Sequence, residues 1–369
     1  MAESILENVK EYYGTVLKSR DDLKSQVCYK KDLIDNKYVC KAISEVHSDV
    51  SAKYYGCGLC IPPRVNGANI LDLGSGSGRD CFAVSKLAGI NGKVVGIDMI
   101  GEQVDVANTY IPYHQEKFGF DKPNVKFVEG YVEDLQSAGL ENDYFDIIIS
   151  NCVVNLCPDK EAVLSAAFSV LKPGGELYFS DMYTDTHQSD IVKGNKTLWG
   201  EGFAGSLHWK QLHEIANKIG YSTPCLVSCS PIKIVREDFK QMLGDAKYCS
   251  ATYRLFKPLT SLPRADDQTC QSGVGLVTYK GEILHHEELF NFDHMLTLLK
   301  GVETSVPIEK INILVSSRYA EEFEFKVEKN DVSNDSCNEW NCVENPFDVI
   351  KKKVESGQQV KCCQKTKGC

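Results

Sequence analysis

Three glycines at alternate positions, Gly74-Ser-Gly-Ser-Gly78, follow the apolar run Ile70-Leu-Asp-Leu73. The pattern marks a buried strand turning sharply into a helix, with glycines that let backbone N–H groups come close to a ligand. Dinucleotide binding asks for G-x-G-x-x-G with a phosphate on the helix N-terminus; the spacing here is G-x-G-x-G. A second strand, Lys93 to Ile97, ends at Asp98, whose carboxylate is placed to accept hydrogen bonds from both ribose hydroxyls of a nucleoside. Turn and acid together point to S-adenosylmethionine, a nucleoside with a sulfonium and an amino-acid tail, ahead of NAD.

The elements that must position these residues alternate regularly. A strand to Leu73 is followed by a helix from Gly78, a strand to Asp98, a helix over Gln103–Phe118, and strands over 125–130 and 144–150. A helix over Asp159–Leu171 and a strand over Glu176–Asp181 complete an α/β, doubly wound, mostly parallel sheet. Ligands of such sheets sit beyond the carboxyl ends of the strands. Candidate cofactor contacts are therefore Asp72, Gly74, Ser75, Gly76, Gly78, Arg79, Asp98, Met99, Gln103, Val132, Glu133 and Asn151, with Tyr55 and Gly56 on a loop ahead of the first strand.

Length of 369 residues fits one large domain and a smaller one. Expected boundaries are an N-terminal helical and lid segment to residue 60, the main domain over 61–238, a smaller α+β unit over 239–330, and a cysteine-containing flexible tail over 331–369. Strand-like runs at 251–256, 275–279 and 311–315 are assigned to the smaller unit. A net charge of −10 without a basic run argues against a nucleic-acid partner. No signal peptide or membrane-spanning run is legible, so the reading is a cytosolic protein without a membrane partner. Its sixteen cysteines are then expected to be reduced thiols.

Cys152 stands at the end of the fourth strand, in Asn151-Cys-Val-Val-Asn155, where the reactive methyl of the cofactor should lie. A thiolate there is open to alkylation unless it is bound to something soft. Arsenic, antimony and zinc all qualify, and of these the trivalent metalloids keep a lone pair that can attack carbon. A cysteine packed as a small apolar residue is the plain alternative. Cys57, in the Gly- and Pro-rich loop before the first strand, is positioned to share the ligand; zinc is not expected.

Tyr54-Tyr-Gly-Cys-Gly58, Ile70 through Asp80, Asn151 through Leu156, Trp199-Gly-Glu201, Ser250 through Phe256 and the terminal cysteine cluster resemble the animal arsenite methyltransferases, nearly end to end. The resemblance implies a Rossmann-like class I methyltransferase sheet and the methylation of As(III), supplied as arsenite or its glutathione conjugate. It further implies three cysteines on the arsenic, among them Cys57 and Cys152, and a fourth near the N-terminus, Cys28, in disulfide steps reset by glutathione and a thioredoxin-type reductant. The remaining position, after Trp199-Gly-Glu201, is Gly202 in this chain. That departure keeps two alternatives in view: a metalloid-binding protein with weak or lost turnover, and a methyltransferase of another small soft nucleophile.

Overall fold

A computed structural model describes residues 2–17, 22, 36–56, 60–259, 273–326 and 343–357. Cys28, Cys57 and the terminal Cys362, Cys363 and Cys369 lie outside the described residues. The main sheet contains β1 (Asn69–Leu73), β2 (Lys93–Asp98), β3 (Val125–Glu129), β4 (Phe145–Asn151), β5 (Leu171–Thr184), the short β6 (Leu207–His208), β7 (Cys225–Ile232) and β8 (Tyr248–Phe256). Its order is β3-β2-β1-β4-β5-β8-β7, with β6 beside β5 off this path. Strands β1 to β5 run parallel, and β8 is antiparallel to both β5 and β7.

Side chains on a strand alternate between faces, and both faces of this sheet are covered. Leu71, Leu73 and Ile148 point into a core shared with Val163, Leu164 and Ala167 of the helix Lys160–Val170. Ile70, Ile147 and Ile149 point the other way, onto Phe82, Ala83 and Val84 of the helix Arg79–Ala88. The near-continuous apolar runs in β1 and β4 follow from burial on two sides.

Four expectations change. The helix expected over Gln103–Phe118 is two, Gly101–Thr109 and Ile111–Phe118, because Pro112 has no N–H to continue the ladder. The run Ile311–Val315 belongs to the helix Ile308–Val315 rather than to a strand; a short apolar run does not declare its period. β8, assigned on sequence to the smaller unit, completes the main sheet by pairing along β5 from Glu176–Phe256 to Thr184–Tyr248. Within the polar tail, Pro346–Glu355 forms a helix, and Phe347, Val349 and Ile350 pack on the main core.

The smaller unit has a three-stranded antiparallel sheet of β9 (Val274–Tyr279), β12 (Glu303–Pro307) and β13 (Phe323–Lys326), with a β10 (Leu289–Asn291) and β11 (Thr297–Leu299) hairpin. A wholly buried carboxylate, Glu176 of β5, lies at the junction of the units. It accepts from Arg318 Nε at 3.0 Å and Nη2 at 2.7 Å, and pairs with Arg254 at 3.3 Å. Arg318 also donates to the Arg64 carbonyl at 2.6 Å, just ahead of β1.

Candidate active site

Thirteen of the residues singled out on sequence line one cleft at the carboxyl ends of the parallel strands: Tyr55, Gly56, Asp72, Gly74, Ser75, Gly76, Asp98, Met99, Gln103, Val132, Glu133, Asn151 and Cys152. Gly78 and Arg79 stand behind it. Gly78 (φ 88°) is the N-cap of the following helix, and a Cβ there would come within 2.6 Å of the Phe127 ring. Arg79 turns its guanidinium over the Tyr54 ring at 3.7 Å and lies 3.7 Å from Asp80, so it buttresses the wall.

The glycine turn and the acid ending β2 form one hydrogen-bonded unit. Gly74 and Ser75 N–H groups donate to the Ile97 carbonyl at 2.8 and 2.9 Å. The Asp98 carboxylate accepts from Gly76 N–H at 2.8 Å and Ile100 N–H at 2.9 Å. Burial raises the Asp98 pKa, and the backbone donors oppose that shift. Gly74 (φ 68°) has no room for a side chain: a Cβ would meet Val153 at 2.3 Å. The residue after Cys152 therefore packs directly on the cofactor turn.

Ser75 Oγ and Gln103 Oε1 are buried without a hydrogen-bond partner among the described residues, and Asp80 Oδ1 faces the Arg79 guanidinium at 3.7 Å without a hydrogen bond. A buried polar atom left unpaired costs about 1–3 kcal/mol, and all three residues line the cleft. Hydroxyl, amide and carboxylate groups of this kind suit the ribose and ammonium of S-adenosylmethionine.

Sequence reasoning gave no role to several residues that line the same cleft. Asp80 Oδ2 accepts from Tyr54 Oη at 3.2 Å and Asn151 Nδ2 at 3.4 Å, which ties the loop before β1 to the end of β4. Leu6, Val9 and Tyr13 of the N-terminal segment close one side; Tyr13 donates to the Gly200 carbonyl at 2.9 Å and Tyr12 to Glu201. A helical N-terminal segment is legible in the sequence, and the helix Ala2–Glu11 is found there, whereas its docking partner is not legible. Asp181 and Met182 enter from β5, and burial pushes the Asp181 carboxyl up to about 7 although backbone N–H groups donate to it.

Cys152 has a left-handed backbone, φ 61°, and its N–H donates to the Ser180 carbonyl at 2.8 Å. Its sulfur is disulfide-bonded, which corrects for this residue the expectation of reduced thiols. Gly202 lines the same cleft, also left-handed at φ 83°, and a Cβ there would have Met182 Cε as its nearest neighbour at 3.7 Å. Of the other thiols, Cys157 lines the cleft and Cys60 is buried near Asp80 and Asp72; desolvation raises the pKa of both. Cys225 packs in the core of the smaller unit and is pushed up to about 12. Among the described residues no three His, Cys, Asp or Glu side chains gather as a metal site.

Comparison with known proteins accounts for the cleft. Residues 64–220 match a methyltransferase domain family and residues 272–369 match the arsenite methyltransferase C-terminal domain family. The arsenite methyltransferase of Mus musculus is 45% identical over 88% of this chain and 84% of its own length. That of Aquipseudomonas alcaligenes is 43% identical over 86% of this chain and 90% of its own. The crystal structure of an arsenic(III) S-adenosylmethionine methyltransferase from Chlamydomonas reinhardtii aligns with a TM-score of 0.73 at 35% identity, covering 80% of this chain and 97% of that one. With a cleft shaped for S-adenosylmethionine and relatives of this identity along most of its length, the chain belongs to the arsenite methyltransferase family.

Proposed function

We propose that this S-adenosylmethionine-dependent enzyme methylates trivalent arsenic while the arsenic is held on thiolates, with Cys152 as its central protein ligand. The observation that carries the reading is the placement of Cys152: it follows β4, lines the cleft, and adopts a left-handed backbone. A non-glycine residue keeps that conformation only where its surroundings enforce it, and such residues cluster at functional sites.

S-adenosylmethionine supplies an electrophilic methyl on a sulfonium and leaves as S-adenosylhomocysteine. Asp98 and the glycine turn orient the nucleoside, while Cys152 presents arsenic so that its lone pair lies in line with the methyl carbon. Cys57 supplies a second thiolate and Cys28 takes part in disulfide steps. Since the Cys152 sulfur is disulfide-bonded here, a two-electron thiol reductant, glutathione or a thioredoxin-type protein, releases the ligand first. Gly202 supplies no thiolate, so the third ligand on inorganic arsenite comes from glutathione. This chemistry suits a reducing cytosol and a role in arsenic detoxification.

Labelled S-adenosylmethionine incubated with arsenite, glutathione and thioredoxin tests the reading, with methylated arsenicals as the expected product. Arsenite binding without product would leave a metalloid-binding protein. Label passing to selenium, tellurium or thiol acceptors but not to arsenite would establish a different soft nucleophile.

A further inference from the structure

Cys152 is followed by a tight turn in which the carbonyls of residues 155 to 157 accept from the side chains of Lys160 and Trp199. Lys160 Nζ donates to the Asn155 carbonyl at 3.2 Å and the Cys157 carbonyl at 2.5 Å. Trp199 Nε1–H donates to the Leu156 carbonyl between them at 2.9 Å. The ammonium of Lys160 faces the Trp199 ring at 5.0 Å. On the amide side, the Asp181 carboxylate accepts the Asn155 N–H at 3.0 Å.

Stability alone does not explain a lysine here. Lys160 is the first residue of its helix and is only 9% exposed. A cation at the positive end of a helix dipole is unfavourable, and so is an ammonium removed from water. Both costs fall on one side chain whose donors reach the turn beyond the reacting cysteine.

The same side chain reaches the other flank of the cleft. A Cβ on Gly205 would overlap the Asn155 carbonyl oxygen at 1.8 Å and stand 3.2 Å from Lys160 Nζ. Residues 199–205 are thus pressed on the turn at both ends, by Trp199 and by Gly205, with Glu201 and Gly202 between them in the cleft wall.

We propose that Lys160 is a positioning residue for methyl transfer: by pinning the carbonyls of residues 155 and 157 it holds Cys152 and the Trp199–Gly202 segment in one rigid frame. The inference rests on the reading of Cys152 as the arsenic-bearing thiolate. Lys160 touches neither cofactor nor arsenic. Its contribution is to the line of attack, where a misplacement of about 1 Å costs on the order of a hundredfold in rate. Burial lowers the Lys160 pKa to about 8, and the carboxyl groups of Asp181, Asp159 and Glu133 oppose that shift.

The test uses the full chain with arsenite, glutathione and thioredoxin, and expresses kcat per cofactor-binding site. Lys160→Met, which keeps the volume and removes the donors, should lower kcat about 10- to 100-fold while the S-adenosylmethionine Kd stays within about threefold. Trp199→Phe, which keeps an aromatic ring but removes the pyrrole half of the indole with its N–H, should show the same kcat-only pattern with a smaller loss, and it decides the matter if Lys160→Met does not fold. Unchanged kcat per site in the folded variants, with only thermal stability reduced, overturns the proposal. Cys152→Ser separates this from the underlying reading: an active serine variant removes the thiolate mechanism, whereas an inactive serine variant beside a fully active Lys160→Met removes only the role of Lys160.

Discussion

Gly76 donates its backbone N–H to the Asp98 carboxylate at 2.8 Å, so the tight turn after β1 and the acid ending β2 move as a unit. Asp98→Ala removes both the proposed ribose acceptor and the strut that holds the turn. S-adenosylmethionine binding should weaken by about 1.5–3 kcal/mol, the scale of a hydrogen bond to a charged group. Isothermal calorimetry reads this directly, and an unchanged Kd would take Asp98 out of the site.

Gly202→Cys places a thiol in the cleft wall where Met182 Cε, at 3.7 Å, leaves room for a Cβ. The φ of 83° makes the substitution strained, at about 1–2 kcal/mol. A lower urea midpoint should therefore accompany faster arsenite methylation and a smaller glutathione requirement. Monomethylarsenite, which needs only two thiolates, should gain little. Brisk arsenite turnover by the unaltered enzyme without any small thiol would show that another cysteine already fills the place.

Asp181 gives the protein a pH signature. Its carboxyl is pushed up to about 7 by burial in the native state, against about 3.9 in an unfolded chain. Between those values the native state keeps a proton that the unfolded chain has released, so this residue makes stability fall as pH rises through the window and leaves it level above about 7. Asp181→Asn should flatten the curve of urea midpoint against pH between about 4 and 7. Parallel curves for the two proteins would refute the assignment.

Glu176→Ala strands Arg254 and Arg318 beside a void in the junction of the two units. Removing one member of a buried ion pair costs about 3–5 kcal/mol. The denaturation midpoint should drop accordingly, with both units affected together. A loss below about 1 kcal/mol, the range of exposed pairs, would mean the junction tolerates the change.

What sequence alone made legible was local. Continuous apolar runs, the alternate glycines and the terminal acid place β1, β2 and their ligand-facing ends without knowledge of any distant partner, and strand order puts Cys152 at the cleft. β8 escaped because its strand-like pattern does not say that Phe256 will pair with Glu176, eighty positions earlier. Arg79 was expected at the ligand from its place beside the glycines, yet the stack on Tyr54 is a tertiary event that draws it behind the wall. Tyr13, Asp80 and Asp181 reach the cleft through docking, and nothing in their immediate neighbours announces it.

The sharing of Glu176 between the two units also bears on the order in which the chain is made. A ribosome delivers β1 to β5 well before Arg254 and Arg318, the two cations that pair with that wholly buried carboxylate. Until residue 254 has emerged, the sheet must either keep Glu176 wet or bury an uncompensated charge, and the second cation arrives only with residue 318. The nascent catalytic domain therefore waits in an unfinished state for its own C-terminal sequence. A message truncated ahead of β9 would yield a client for chaperones and proteases instead of a smaller enzyme.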